Sequence, residues 1–221
     1  MTKSSILIPD PAVEEYVTGR NITEVLHFTT NKGLLGIFAT GAVLCRDLLD
    51  TEKYIEEIYT PNCHNRLKDA AWTGYVNLSI SRVNDRMFGT AERWHSTEDL
   101  WWTVLAFDVS LLALPGVHFA TTNNTYPSVR RDLGVTGLSA LFADSVEWGR
   151  CGSHNSRYAG MPDAWTTDPQ AEVLYPKRVP VRLLRAVYLR EPEHIDHVVG
   201  WLSIFPDVPH VPIVPKLEVF Q

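Results

Sequence analysis

The chain has 221 residues, 45% of them hydrophobic and 10% aromatic, a composition typical of a packed globular protein and not of a disordered one. A formal net charge of −6 argues against a protein that binds nucleic acid or a membrane through its surface as a whole. Three widely spaced cysteines (Cys45, Cys63 and Cys151) give neither a disulfide framework nor a zinc pattern, and no apolar run is long enough to span a membrane. We therefore expect a cytoplasmic protein without a metal site, folded as a single domain over residues 1–221.

Sequence patterns in the first quarter of the chain predict one strand with short helices before and after it. Residues 10–19 form a possible helix after two prolines, and residues 25–29 are β-branched and aromatic enough for a strand. Apolar residues at helical spacing then predict a helix over residues 31–40, which Gly41 ends. A weaker pattern predicts another helix over residues 47–58.

Strand patterns dominate the rest of the chain. In chain order, strands are predicted at residues 75–81, 101–108, 117–121, 172–175 and 183–189, followed by a short helix at 193–201 and an edge strand in the proline-rich tail 206–215. Residues 143–166 lack periodicity, so we expect a long functional loop there. Strands without regular βαβ alternation, and without a GxGxxG motif, favour an α+β fold.

The segment from Thr167 to Tyr175 holds the strongest candidate for a catalytic residue. Its first three residues, Thr-Asp-Pro, predict a turn, because proline fixes its own φ and makes the residue before it extended. Glu172 then stands at the first position of a strand, where a carboxylate can be aimed rigidly into a pocket. Taken alone, the segment favours the ordinary alternative, a surface glutamate at the start of a strand.

Four further polar clusters interrupt apolar segments, and each alone has an ordinary structural explanation. They are His27-Phe28-Thr29, Asn65-Arg66, Asn84 with Met87-Phe88, and Thr122-Asn123-Asn124. A single histidine is more often a hydrogen-bonded core or surface residue than a functional one, and an isolated arginine is usually solvated or ion-paired. The simplest explanation of Asn84 is a turn that is followed by core residues. The simplest explanation of Thr122 to Asn124 is a polar turn.

In their order along the chain these clusters resemble the DarT family of DNA ADP-ribosyltransferase toxins, over about residues 27–189. The segments similar to family motifs are His27-Phe28-Thr29 with Leu34, Ile37 and Gly41, then Arg66, the strand Val76–Ser81, Asn84 with Met87-Phe88, Trp101–Leu105, Thr122-Asn123 and Thr167–Leu174. The last of these is the most specific, because it is similar to the family's TDPQAEVL segment nearly letter for letter.

The resemblance implies the ADP-ribosyltransferase fold, an α+β architecture with a split mixed β-sheet core and short peripheral helices. It also implies an enzyme that cleaves NAD at its bond to nicotinamide and transfers ADP-ribose to thymidine or guanosine in single-stranded DNA, as a toxin paired with a macrodomain antitoxin. By the same resemblance, Arg66 and Glu172 are the catalytic residues. The residues implied to bind NAD are His27, Phe28, Thr29, Gly36, Leu44, Cys63 and Arg66.

The segment before Glu172 is the expected nucleic-acid contact, despite the negative total charge. Residues 146–190 carry seven bases against four acids, and single strands are held by basic grooves and aromatic stacking. The residues expected to meet the nucleic acid are Trp148, Arg150, His154, Arg157 and Gln170. For any one of them, a tryptophan that fills a core or a solvated arginine is an equally good explanation.

The residue chemistry is consistent with these roles. Loss of nicotinamide leaves positive charge on the ribose, and a fixed carboxylate such as Glu172 stabilises that charge more in the transition state than in the ground state. An arginine such as Arg66 binds a diphosphate in a bidentate manner, and its usual pKa above 12 makes electrostatic positioning a safer role for it than general base.

The sequence also departs from the family pattern and leaves alternatives open. Gly33 stands where the family usually has asparagine, Val83-Asn84-Asp85 replaces a PNY element, and Leu67–Ala70 replaces an Asp-Gly. These departures affect the target base more than the reaction. The alternatives are transfer to an RNA base or to a protein, a catalytically inactive binding module, and a plain NAD glycohydrolase.

Overall fold

The computed structural model describes residues 8–49, 71–95, 99–149 and 152–221. Its strands are β1 (Val25–Thr30), β2 (Ala42–Leu44), β3 (Tyr75–Ile80), β4 (Trp102–Phe107), β5 (His118–Ala120), β6 (Arg131–Leu133), β7 (Ser145–Glu147), β8 (His154–Ser156), β9 (Glu172–Pro176), β10 (Arg178–Pro180), β11 (Leu184–Leu189) and β12 (Ile213–Pro215). Its α-helices are α1 (Pro11–Gly19), α2 (Asn31–Thr40), α3 (Arg46–Leu49), α4 (Asp85–Trp94), α5 (Gly134–Ala140) and α6 (Ile195–Ile204). None of the helices in these ranges is long and apolar enough to cross a membrane.

Eight strands form one sheet in the order β12-β11-β4-β1-β3-β9-β5-β6. Neighbouring strands are antiparallel except β11 and β12, which are parallel, so the sheet is mixed. Two short pairs, β10 with β2 and β7 with β8, lie outside it. The α+β architecture with a mixed sheet and short helices is therefore confirmed.

The sheet is split between β1 and β3. These two strands pair only at Val25–Ile80 and Leu26–Ser79, whereas β1 pairs with β4 along its whole length. From His27 onward β1 leaves β3, and the first four residues of β3 pair with β9 instead. The gap between residues 27–30 and residues 75–78 divides the sheet into two halves of four strands each.

The two faces of the sheet are covered unequally. The larger hydrophobic cluster lies on one face, against side chains of α1, α2, α5 and α6. On the other face, a smaller cluster around Phe88 of α4 covers only the half with β1, β4 and β11. In the other half of the sheet, which contains β3 and β9, alternation along the strands places Asn77, Ser79 and Glu172 on this same second face. Polar side chains therefore lie there in place of an apolar cluster.

Most predicted elements match the structure to within a few residues, and the differences lie in weakly periodic segments. The predicted helix over residues 47–58 appears as α3 up to Leu49, and its remainder lies outside the described residues. The prediction of one irregular loop over residues 143–166 is wrong, because β7 and β8 pair there as a hairpin. The elements that the sequence did not predict are β2, β6, β10, α4 and α5.

Candidate active site

Glu172 is the first residue of β9 and is only 7% exposed. The Asn77 side chain donates to its Oε2 over 2.6 Å, and the backbone N–H of Asn124 donates to the same oxygen over 3.3 Å. The Asn123 side chain donates to Oε1 over 3.4 Å. A buried carboxylate is costly unless it is hydrogen-bonded, so these donors both satisfy Glu172 and fix its direction. The alternative of an ordinary surface glutamate is thereby excluded.

The turn that supplies two of these donors is itself anchored. The Arg131 guanidinium donates to both the side chain and the backbone oxygen of Asn124 and lies 5.2 Å from the centre of the Trp72 ring. Register places Ala120, at the end of β5, opposite Glu172, so the turn begins beside the carboxylate. The sequence marked Thr122 to Asn124 as a polar cluster, but it did not reveal the role of Arg131.

The segment before Glu172 is a rigid turn. Asp168 is fully buried, and its Oδ1 accepts from the backbone N–H of Gln170 over 2.8 Å. The backbone oxygen of Asp168 accepts from Ala171 N over 3.1 Å, and the Thr167 hydroxyl donates to Ala143 O over 2.6 Å. These bonds explain why Thr-Asp-Pro precedes the strand, since they set the path of the chain into Glu172.

Arg82 packs against this turn, although the sequence did not single it out. It follows Ser81, whose φ of +59° is a strained, left-handed conformation, and its own N–H donates back to Ile80 O over 2.7 Å. The guanidinium donates to Thr166 O over 2.8 Å and lies 4.7 Å from the centre of the Trp165 ring. Burial lowers the pKa of Arg82, and nearby Tyr158, Asp85 and Asp168 oppose that shift.

His27 faces the gap in the sheet. Its Nδ1 lies 3.1 Å from Asn77 O, and because a carbonyl oxygen only accepts, Nδ1 carries the hydrogen. Burial lowers the pKa of His27 to about 4, and the bond to Asn77 opposes this only in part. His27 is therefore neutral near pH 7, and its Nε2 is an acceptor for a ligand hydroxyl or amide.

The other residues expected to bind NAD surround this gap or lie near it. Thr29 is buried, and its side chain occupies the space where a Cβ on Gly33 of α2 would stand. Phe28 packs edge-on against Phe88 with ring centres 5.3 Å apart, and by alternation it lies on the face of Glu172. Gly36 is buried within α2.

For several residues that were predicted to belong to the site, the described structure shows no contact with Glu172 or His27. Leu44 is in β2, which pairs with β10 outside the main sheet. Arg66, Cys63 and Arg150 lie outside the described residues, so their places in the site stay predictions. Over the described ranges, no three His, Cys, Asp or Glu side chains come close enough to hold a metal ion.

The residues expected to meet nucleic acid fall into two groups. Gln170 and Trp148 both lie against Tyr126, because the Tyr126 hydroxyl donates to Gln170 Oε1 over 3.1 Å and the Tyr126 ring centre is 6.3 Å from that of Trp148. Arg157 instead donates to two backbone oxygens, those of Trp165 and Pro162, over 2.7 and 3.0 Å. Exposed His154 contacts the Ser145 hydroxyl in the β7–β8 hairpin.

Comparison with known proteins gives a family match that covers most of the chain. Residues 26–220 match the family model described as DarT, ssDNA thymidine ADP-ribosyltransferase. No curated protein sequence matches the chain. Among solved structures, Thermus sp. 2.9 DarT in complex with carba-NAD+ superposes with a TM-score of 0.63 at 15% identity, over 90% of this chain and 98% of that one.

Two further structures have the same fold. Thermus sp. 2.9 DarT in complex with ADP-ribosylated ssDNA has a TM-score of 0.60 at 16% identity, over 91% of this chain and 97% of that one. Thermosipho africanus DarTG in complex with ADP-ribose has a TM-score of 0.61 at 12% identity, over 90% of this chain and 51% of that one.

The fold and the family match together define the class as ADP-ribosyltransferase, with NAD as the donor and single-stranded DNA as the acceptor. Because the family model covers most of its length, the chain belongs to the DarT family.

Proposed function

We propose that this chain transfers ADP-ribose from NAD to thymidine in single-stranded DNA, with Glu172 and Arg66 as its catalytic residues. The observation that carries the proposal is the carboxylate of Glu172, buried beside the split in the sheet and held by Asn77, Asn123 and Asn124. Thymidine is favoured over guanosine because the matching family is described by that nucleoside.

The proposed mechanism assigns one task to each part of the site. NAD lies in the gap between β1 and β3, with its nicotinamide end near His27 and Thr29 and its diphosphate near Arg66. When the bond to nicotinamide breaks, Glu172 stabilises the positive charge on the ribose, which raises the rate because that charge exists only near the transition state. The ribose carbon then joins the base, and nicotinamide and one proton are released.

The rigid supports of Glu172 favour this role over a structural one. Its donors come from β3 and from the turn after β5, so the carboxylate is fixed from two sides before any substrate arrives. Such preorganisation avoids the cost of reorienting the group during the reaction.

The biological setting is part of the proposal. A transferase that modifies DNA bases needs an opposing activity, and the likeness to a protein titled DarTG supports pairing with an antitoxin, for which a macrodomain is proposed. A reducing, cytoplasmic location is consistent with only three cysteines in the chain. The eight strands of the main sheet come from residues 25 to 215. Because one sheet joins segments from most of the chain, it supports a single domain over residues 1–221.

The test is mass spectrometry of short single-stranded oligonucleotides after incubation with the protein and NAD. We expect a mass gain of one ADP-ribosyl group on oligonucleotides that contain thymidine, and none on matched oligonucleotides without it. Glu172→Ala and Arg66→Ala should abolish the gain while circular dichroism stays unchanged. A gain on RNA or protein alone, or an active Glu172→Ala enzyme, contradicts the proposal.

A further inference from the structure

Arg86, the second residue of α4, has an exposed guanidinium that lies 5.1 Å from the centre of the Trp148 ring. Its backbone is hydrogen-bonded to the side chains of Asp85 and Thr90, and no described residue forms a hydrogen bond or ion pair with its guanidinium. A guanidinium placed over an aromatic ring keeps the N–H groups along its edge available for a phosphate.

Neighbouring arginines differ from Arg86 because their guanidinium groups are already engaged. Arg157 and Arg82 donate to backbone oxygens of the segment before Glu172. Arg131 donates to Asn124, and Arg190 is paired with Glu92 over 2.8 Å. The contacts of these four arginines stabilise the fold, whereas Arg86 is exposed and is placed to accept a new anion.

Tyr126 links Arg86 and Trp148 to the catalytic carboxylate. Its ring lies beside Trp148, its hydroxyl donates to Gln170, and it follows Asn124 by two residues. Gln170 in turn precedes Glu172 by two residues. A nucleotide that rests on Tyr126 and Trp148 would therefore adjoin the base that is modified.

We propose that Arg86, Trp148 and Tyr126 form a platform for the nucleotide next to the modified one, with Arg86 binding its phosphate and the rings stacking on its base. The inference rests on the proposed function, since it assumes single-stranded DNA as the acceptor. Aromatic rings hold bases without reading their sequence, and one arginine contact makes binding to a single strand more sensitive to salt. The platform thus explains how a protein of net charge −6 holds DNA locally.

The test compares Arg86→Gln with Arg185→Gln, which removes the same charge from a guanidinium already paired with Asp108 over 2.7 Å. For Arg86→Gln we expect the KM for a thymidine-containing oligonucleotide to rise about tenfold with kcat unchanged. The slope of log affinity against log salt should become shallower by roughly 0.7. Affinity for carba-NAD and the melting temperature should match the wild type, and Arg185→Gln should match it in KM, salt slope and carba-NAD affinity.

The possible results distinguish failure of the proposed platform from failure of the proposed function. If the wild type modifies DNA and Arg86→Gln has the same KM and salt slope, the platform is wrong and the proposed function stands. Loss of carba-NAD affinity in Arg86→Gln also overturns it, because the residue would then act on the fold or on NAD. If the wild type does not modify DNA at all, the proposed function itself fails.

Discussion

Asn77 contacts both sides of the split sheet. Its backbone oxygen accepts from His27 on β1, and its side chain donates to Glu172 on β9. The groups proposed to act on the nicotinamide of NAD and on the ribose next to it are therefore held by the same residue, and a shift of β3 would move both. The strand β3, at the edge of the gap, therefore sets the distance between His27 and Glu172.

At the scale of residues, the sequence indicated the candidate glutamate but not the side chains that hold it. Glu172 could be found because a turn motif and a strand start lie next to it. Asn77 and Arg131 could not, since an asparagine in an alternating strand and an arginine between charged neighbours are typical of solvent-facing positions. Their partners are 95 and 7 residues away, and only the fold brings Asn77 to Glu172.

The stability of the protein should depend on pH through His27. In the folded protein the pKa of His27 is lowered to about 4 by burial, whereas an unfolded chain has the usual 6.5. Below pH 6.5 the unfolded state therefore binds the proton more readily, so stability is full above that pH and is lost as pH falls toward 4. Between pH 7.5 and 5, this group alone should lower the free energy of unfolding by about 2 kcal/mol.

Denaturant unfolding of the wild type and of His27→Gln at both pH values measures this contribution. Other acids and histidines contribute equally to both proteins, so the difference isolates His27. Equal pH dependence in the two proteins would show that His27 is not buried in its neutral form.

At the scale of elements, the periodic segments were predictable and the short ones were not. Residues 31–40 form α2 as predicted, and Gly41, with a φ of +68°, ends the helix in the left-handed conformation expected there. The helix α4 was missed because Gly89 and polar residues obscure its pattern, although Asn84 caps it by accepting from Met87 N. The strands β2 and β10 have three residues each, too few for a period to be read.

Gly33 of α2, one departure from the family pattern, lies directly against Thr29 of β1. A Cβ on Gly33 would overlap Thr29 Oγ1 and stand 3.4 Å from Thr29 Cβ, so a larger residue at this position requires Thr29 to move. We expect Gly33→Ala to lower the free energy of unfolding by about 1–3 kcal/mol, because overpacking outweighs the better helix propensity of alanine.

In a Thr29→Ala background the same change should be neutral or stabilising, because the overlap is gone. Chemical denaturation of the two single variants, the double variant and the wild type gives the coupling energy. Additivity within about 0.5 kcal/mol would mean that the two residues do not compete for the same space.

At the scale of the whole molecule, the proposed NAD site in the split of the sheet lies between two halves. Strands β1, β4, β11 and β12 lie on one side of the gap, and β3, β9, β5 and β6 on the other. Direct pairing across the middle is limited to two residue pairs, and the bond from His27 to Asn77 adds a side-chain contact. A ligand in the gap would contact residues of both halves, so its binding energy also resists their separation.

Hydrogen exchange with and without carba-NAD tests this arrangement. Peptides covering residues 27–30 and residues 75–78 should both exchange more slowly with the ligand bound, because amides on the two borders of the gap open by local fluctuation and are unpaired across it. The edge strand β12, which pairs only with β11, should exchange at the same rate with or without ligand. Slowing on one border alone would place NAD on a single half, and His27 and Glu172 could not then act on the same molecule.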